Sequence, residues 1–221
     1  MSQAIKICGL STAPTLTAAL EAGADMVGFV FFEKSPRCVT YEQARRLAAR
    51  ARQRAEIVAL CVDASNEDLQ QIVAATEPDF LQLHGNESPA RVAEIQEKFG
   101  VSAIKAIGVA DAADFAKAGE YKDAADALLI DAKPPKGAVL PGGNGVPFDW
   151  RLARNFHPRK PWLLSGGLDQ GNVAEAIALS RTRGVDVSSG VESAPGVKDI
   201  EKIRAFVAAA RAAFEADLET I

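Results

Sequence analysis

The 221-residue sequence has little cysteine, with only Cys8, Cys38 and Cys61. Their odd number and wide spacing argue against a disulfide framework, and no paired Cys or His motif indicates a zinc site. Free thiols are typical of proteins in a reducing compartment. We therefore expect a cytoplasmic protein without structural disulfides and without a bound metal.

The sequence also lacks an excess of positive charge and a long apolar run. Lys and Arg number 25 against 29 Asp and Glu, so the formal net charge is −4 and gives no general reason to bind nucleic acid. The first apolar run contains Lys6 and has no signal-peptide character, and no run approaches the length of a membrane span. We expect no nucleic-acid or membrane partner.

Short apolar runs of strand length alternate with helical patterns along the whole chain. Thr40 and Gln43 have the capping-box spacing, and Ser88, Pro89 and Gly100 bound another helical pattern. The strand-like runs are 4–8, 26–32, 57–62, 80–84, 103–107, 127–131, 162–165 and 185–189. The helical patterns are 16–23, 40–53, 65–76, 88–100, 110–119, 172–179 and 199–218, with a short helical segment at 149–155.

Eight alternating strand and helix units in this length predict a closed (β/α)₈ barrel, an α/β fold. We expect residues 1–221 to form one catalytic domain, because no linker or low-complexity segment divides the chain. The sixth unit is the weakest, since a long Pro- and Gly-rich stretch follows Asp131. An open, doubly wound sheet is the alternative.

Polar residues stand at the ends of three predicted strands, where a barrel places its active site. Strand side chains alternate between two faces, so Lys6 and Cys8 share one face, as do Gln82 and His84. Asp131 closes the sixth strand, and Gly9 allows close approach to the thiol. Each residue alone has an ordinary structural explanation, such as a core filler or a turn cap. Together, Cys8, His84 and Asp131 predict an active site at the barrel mouth.

Two glycine-rich loops follow the seventh and eighth strands, at 165–172 and 187–196. Loops at these positions, with a short extra helix, form the usual phosphate site of a barrel, because glycines expose backbone N–H groups. Arg37 follows the second strand and suits a carboxylate, although an exposed surface arginine is the simpler alternative. Lys34 is expected at the surface and Cys61 in the core, whereas Cys38 has no partner that the sequence indicates.

The chain resembles the phosphoribosylanthranilate isomerases, a family of tryptophan-biosynthesis enzymes with a (β/α)₈ barrel. The resemblance runs through nearly the whole chain. It rests on KICGL at 6–10, GADMVGFVFFEKSPRCV at 23–39, LQLHG at 81–85, Asp131 followed by PGGNGVPFDW, LSGGLDQGNV at 164–173 and GVDVSSGVESAPGVKD at 184–199.

The resemblance implies a role for each matching residue. Cys8 corresponds to the family's general base and Asp131 to its general acid, while Arg37 meets the anthranilate carboxylate. Gln82 and His84 match residues that line the substrate pocket. The residues that match the phosphate-binding loops are Gly166, Gly167, Ser188, Ser189 and Gly190. Asn144 replaces the usual Thr in the loop after the sixth strand, which leaves the conformation of that loop open.

The reaction that the resemblance implies is the Amadori rearrangement of N-(5-phosphoribosyl)anthranilate to 1-(2-carboxyphenylamino)-1-deoxyribulose 5-phosphate. An acid and a base suffice, so no cofactor is expected. The base requires a thiolate, for which we expect the pKa of Cys8 to lie below its ordinary value, with Lys6 as an electrostatic helper. The alternatives are another phosphosugar barrel enzyme, such as indole-glycerol-phosphate synthase or an aldose–ketose isomerase, and a catalytically silent phosphosugar-binding protein. The chain is expected to be a monomer or a homodimer.

Overall fold

The computed structural model describes residues 3–133, 137, 142 and 148–218. Eight parallel strands hydrogen-bond in sequence order and the eighth pairs with the first, so the sheet closes into a barrel. The predicted (β/α)₈ fold is confirmed. The strands are β1 (Ala4–Cys8), β2 (Met26–Phe31), β3 (Glu56–Cys61), β4 (Phe80–Leu83), β5 (Ser102–Val109), β6 (Ala127–Ala132), β7 (Trp162–Leu164) and β8 (Gly184–Val187).

Helices follow the strands on the outside of the barrel. The capping box at Thr40 and Gln43 is present, and Gly100 ends its helix in the left-handed region, with φ of 64°. No helix in the described ranges is long and apolar enough to cross a membrane. The helices are α1 (Ala13–Ala22), α2 (Tyr41–Ala51), α3 (Asn66–Thr76), α4 (Pro89–Phe99), α5 (Phe115–Glu120), α6 (Val173–Ser180) and α7 (Ile200–Leu218).

Three segments differ from the sequence-based prediction. Helix α1 begins at Ala13 rather than at 16, because the Thr12 side chain accepts a hydrogen bond from the N–H of Thr15 and so caps an earlier turn. The segment predicted as a helix at 110–119 begins with a 3₁₀ turn, Ala112–Asp114. The helical segment predicted at 149–155 is a 3₁₀ helix, Trp150–Asn155. The prediction about Asn144 lies outside the described residues.

A short antiparallel hairpin, which the sequence did not predict, follows β8. It consists of β9 (Glu192–Ala194) and β10 (Val197–Lys198), and a 3₁₀ turn, Ser189–Val191, connects it to the barrel. Strands this short lie below the length at which alternation of apolar and polar residues can be recognised. The hairpin lies at the same end of the barrel as the predicted phosphate loops.

Side-chain alternation along the strands divides the core into two parts. Ile5 and Ile7 of β1 are fully buried and pack outward against α7 and its neighbours, as predicted. The inward-facing residues of the lower barrel form an apolar floor. Above this floor the interior becomes polar. The floor consists of Ala4, Met26, Val58, Ile104, Ala106, Ala127, Leu129 and Leu163.

A buried ion pair on the outer side of β5 fixes the segment that follows β4. Lys105 Nζ lies 2.9 Å from Glu87 Oε2 and donates to the carbonyl oxygens of Leu83 and Gly85, at 3.0 and 2.8 Å. Glu87 also accepts from the N–H groups of Asp63 and Gly85. Because these contacts lie on both sides of His84, they hold that residue at the barrel mouth.

Replacing Lys105 with Met should lower the free energy of unfolding by about 3–5 kcal/mol, because it leaves the Glu87 carboxylate buried without its cation. Denaturant unfolding measures this change. Arg46→Met is the matched control, since the Arg46–Glu42 pair is 67% and 73% exposed and should change stability by less than about 1 kcal/mol. Equal effects of the two substitutions would contradict the structural role of the buried pair.

Candidate active site

A cavity opens at the carboxyl ends of the barrel strands, where the sequence predicted the active site. It is lined by residues from six of the segments singled out in the sequence, together with apolar residues such as Leu60. The structure thus brings together most of the predicted site residues in one place. Those that line the cavity are Cys8, Arg37, Gln82, His84, Asp131, Gly166, Gly167, Ser188 and Ser189.

Cys8 ends β1 and is 3% exposed, with its side chain facing the cavity. Gly28, its neighbour on β2, is required for space, because a Cβ there would lie 3.0 Å from Cys8 Sγ and 3.3 Å from Lys6 Nζ. Lys6 is fully buried below the thiol and forms a 2.7 Å ion pair with Asp186. These two residues are register partners across the β1–β8 seam, where the barrel closes.

The surroundings of Cys8 do not lower the pKa of its thiol, which corrects the expectation drawn from the sequence. Burial raises the pKa of Cys8, the Lys6 charge lowers it, the Asp186 charge raises it again, and the net pKa is above the ordinary value. For Lys6, burial lowers the pKa, but Asp186 and Cys8 outweigh burial and the net pKa is raised. Lys6 therefore stays an ammonium group and favours the thiolate form of Cys8, but it does not offset the effect of burial on the thiol.

Asp131 lies within β6, which runs one residue further than predicted, and its carboxyl group faces the His84 ring. Asp131 Oδ2 lies 3.3 Å from Nε2 of His84, and Nδ1 of His84 lies 3.1 Å from the amide nitrogen of Gln82. Because the Gln82 amide nitrogen can only donate, a neutral His84 carries its proton on Nε2, the nitrogen nearer to Asp131. Asp131 is 4% exposed and so is reached only through the cavity.

The two glycine-rich loops lie side by side across the cavity. Gly166 and Gly167 have φ of 89° and 68°, a conformation that suits glycine and turns the backbone at the end of β7. Ser188 and Ser189 line the cavity, and Ser189 begins the short 3₁₀ turn expected at a barrel phosphate site. Gly190 lies behind them, where an added Cβ would collide with the carbonyl oxygen of Leu168. Gly190 therefore allows the two loops to pack closely against each other.

Arg37 is 7% exposed and reaches the cavity beside Cys8, so the simpler alternative of a surface arginine is wrong. Gly9, with φ of 78°, makes room for it, because a Cβ on Gly9 would lie 2.8 Å from Arg37 Cδ. The sequence predicted that Gly9 allows close approach to the thiol. In the structure, the group that comes close to Gly9 is the Arg37 side chain. Lys34 and Cys38 are exposed and Cys61 is fully buried; for Lys34 and Cys61 this is as predicted.

Two buried acids near the cavity were missed by the sequence analysis. Asp186 lies between Val185 and Val187 on β8, so the alternation that revealed Lys6 also marks Asp186 as facing inward. Glu192 forms an ion pair with Arg37, 155 residues away, and no local pattern indicates that contact. Within the described ranges, no group of His, Cys, Asp and Glu side chains could hold a metal ion.

The fold and the cavity at its mouth are those of an enzyme built on a (β/α)₈ barrel. The chain belongs to the N-(5'-phosphoribosyl)anthranilate isomerase family, whose model matches residues 5–209. It is 57% identical over 213 residues to the N-(5'-phosphoribosyl)anthranilate isomerase of Nitrobacter winogradskyi, covering 96% of this chain and 95% of that one.

Solved structures agree with this assignment. The phosphoribosyl anthranilate isomerase of Thermotoga maritima superposes with a TM-score of 0.85 at 35% identity, over 96% of this chain and all of that one. A second isomerase structure, in complex with reduced 1-(o-carboxyphenylamino)-1-deoxyribulose 5-phosphate, superposes with a TM-score of 0.82 at 33% identity, over 96% and 100% of the two chains.

Replacing Lys6 with Met should raise the pKa of Cys8 further, because it removes the cation and leaves the negative charge of Asp186 unopposed. The thiolate absorbance, titrated in a Cys38→Ser background, should appear at higher pH than in the parent. The double substitution Lys6→Met/Asp186→Asn removes both charges and should return the titration toward the parent. A titration that Lys6→Met leaves unchanged would rule out electrostatic support of the thiol by Lys6.

Proposed function

We propose that this chain rearranges N-(5'-phosphoribosyl)anthranilate to 1-(2-carboxyphenylamino)-1-deoxyribulose 5-phosphate, with Asp131 as general acid and Cys8 as general base. The observation that carries the proposal is that these two side chains, from β6 and β1, face one cavity. Asp186 is a second buried carboxyl group in that cavity, but it is paired with Lys6 at 2.7 Å.

The two ends of the substrate are both anionic, and the cavity offers a different site for each. The glycine-rich turns at Gly166 and Gly167, with Ser188 and Ser189, suit the phosphate, because backbone N–H groups and hydroxyls are donors without a competing negative charge. The Arg37 guanidinium suits the anthranilate carboxylate, since its planar fork matches a carboxylate. A related isomerase binds the reduced product, which carries the same two anionic groups.

Asp131 begins the reaction by giving its proton to the ring oxygen of the ribose. The bond between C1 and that oxygen breaks, the nitrogen lone pair forms the C1=N bond, and an open-chain Schiff base results. The N–H of Ala132 donates to Asp131 Oδ1 at 2.9 Å, and His84 Nε2 lies 3.3 Å from Oδ2, so both carboxyl oxygens have a neighbouring polar group. The His84 N–H also stabilises the carboxylate that Asp131 becomes after it has given up the proton.

Cys8 completes the rearrangement by removing the proton from C2. The electrons of the C2–H bond form a C1=C2 double bond and neutralise the cationic nitrogen, which gives an enolamine. Protonation at C1 and loss of the hydroxyl proton at C2 then give the aminoketone. The positive charge of the Schiff base next to the thiol favours the thiolate form, which offsets the burial that raises the pKa of Cys8.

Cys8→Ser and Asp131→Asn should each lower kcat by about 10²- to 10⁴-fold, the usual loss when a general base or acid is removed. The rate is measured from the loss of the substrate's fluorescence as it is converted. Both variants should retain affinity for the reduced product, because neither residue contacts its phosphate or carboxylate in this account. A wild type that binds the reduced product without turning over the substrate would indicate a silent binding protein instead.

The pH dependence of kcat/KM should show rising activity from neutral to alkaline pH. This direction follows because the free site holds Cys8 with a raised pKa, so the thiolate fraction increases throughout that range. Thiol alkylation of Cys8 in the Cys38→Ser background should follow the same pH profile. Activity that falls while alkylation rises would show that a different group is the base.

The domain organisation, location and assembly of the chain are part of the same proposal. We propose that residues 1–221 act as a single catalytic domain in the cytoplasm, as a monomer or homodimer. The closed barrel supports one domain, because strands from both ends of the chain pair with each other. Sedimentation of the purified protein tests the assembly.

A further inference from the structure

Glu192, the first residue of the hairpin β9–β10, forms a two-point contact with Arg37. Arg37 Nε lies 2.7 Å from Glu192 Oε1, and Nη2 lies 3.0 Å from Oε2. Both side chains are buried, at 8% and 5% exposure. A bidentate pair of this kind fixes the plane of the guanidinium as well as its position. The guanidinium has five N–H donors, so two bonds to Glu192 do not exhaust its capacity for another carboxylate.

Glu192 is itself held by contacts from several directions. Lys198 Nζ, from the second strand of the hairpin, lies 2.8 Å from Glu192 Oε1, and the N–H of Gly196 donates to Oε2 at 3.2 Å. The turn of the hairpin lies against the Arg37 loop, because a Cβ on Gly196 would collide with the carbonyl oxygen of Pro36. The Glu192 carboxylate therefore has little freedom to follow a moving arginine.

Lys198 connects this cluster to the phosphate loop. Its ammonium group donates to the carbonyl oxygen of Ser188 at 2.8 Å and to Oγ of Ser188 at 3.2 Å. The Ser188 hydroxyl in turn donates to the carbonyl oxygen of Cys8 at 3.2 Å. The hairpin thus contacts residues proposed for the carboxylate site and the phosphate site, and Ser188 connects it to the backbone of Cys8.

The charges of the cluster favour an ionised Glu192. Burial alone raises the pKa of Glu192, but the hydrogen bond from Arg37 and the charge of Lys198 outweigh burial and lower it. Arg37 and Lys198 then share one carboxylate, and because burial lowers the pKa of Lys198 against the opposing charge of Glu192, the excess of positive charge beside the cavity comes chiefly from Arg37. Glu192 therefore reduces the attraction of the site for anions while it fixes the direction of Arg37.

We propose that Glu192 is a positioning residue that aims the Arg37 guanidinium at the carboxylate on the aromatic ring of the substrate. This inference rests on the proposed function, in which Arg37 binds that carboxylate. It makes Glu192 a determinant of specificity for a substrate with an ortho carboxylate, although Glu192 does not line the cavity.

The substitution Glu192→Gln separates positioning from simple charge balance, because the two predict opposite effects. Removing one negative charge should tighten the binding of any anion if charge balance is the whole role. If positioning is the role, binding of the carboxylate should weaken instead, because the amide cannot accept from both Arg37 nitrogens. A misplaced binding group costs up to about 10²-fold.

The experiment measures dissociation constants for two ligands, the reduced product and the same compound without the carboxyl group on its ring. Arg37→Met, Glu192→Gln and the double variant are compared with the parent. We expect each single substitution to weaken binding of the carboxylate ligand by about 10- to 10²-fold, with little change for the other ligand. The double variant should lose no more than Arg37→Met, because Glu192 acts only through Arg37.

The possible outcomes distinguish this inference from the proposed function. Equal losses for both ligands in Arg37→Met would show that Arg37 does not bind the carboxylate, so the proposed function would need a different carboxylate site. A selective loss in Arg37→Met with unchanged or tighter binding in Glu192→Gln would overturn the positioning role alone. Glu192→Asp keeps the charge and shortens the side chain, and it should show a smaller loss in the same direction. This second variant keeps the test decisive if Glu192→Gln does not fold.

Discussion

Closure of the parallel sheet is the constraint on which the rest of the structure depends. The hydrogen bonds between β1 and β8 place Lys6 opposite Asp186, although 180 residues separate them along the chain. Closure also turns every second side chain of each strand toward a shared axis. An apolar floor fills the lower part of that axis, so the polar groups above it are exposed only toward the mouth. Cys8 and Asp131 meet in one cavity for this reason, rather than through any contact between β1 and β6.

Buried charge in this structure is stabilised in pairs, and the pairs place the groups around the cavity. Lys6 with Asp186, Lys105 with Glu87 and Arg37 with Glu192 are each nearly excluded from solvent. A buried charge without a partner is strongly destabilising, so the loss of either member of a pair would leave the other as an unpaired buried charge. Each pair also holds a group at the mouth in place. Lys6 lies below the thiol, Lys105 anchors the segment with His84, and Glu192 holds the guanidinium.

Sequence reasoning recovers the features that depend on local periodicity. The eight strands, the capped helices and the inward direction of Lys6, Cys8 and Gln82 follow from alternation and capping rules, and the structure agrees. The hairpin that begins at Glu192 could not be predicted, because its strands are too short for a pattern and its partner Arg37 is distant in sequence. The expectation of a lowered pKa for Cys8 was wrong because it came from the needs of catalysis. Burial raises this pKa, and the depth of burial is set only when the barrel is assembled.

A crystal structure of this protein with the reduced product, 1-(2-carboxyphenylamino)-1-deoxyribitol 5-phosphate, tests the central claim most directly. The account predicts the phosphate on Gly166, Gly167, Ser188 and Ser189 and the ring carboxylate on Arg37. It also predicts Cys8 Sγ within about 4 Å of C2, near the distance of a reacting pair, with Asp131 beside the oxygen that closes the ribose ring. A ligand bound in the opposite direction, or with Cys8 and Asp131 both distant from these atoms, would contradict the assignment of base and acid.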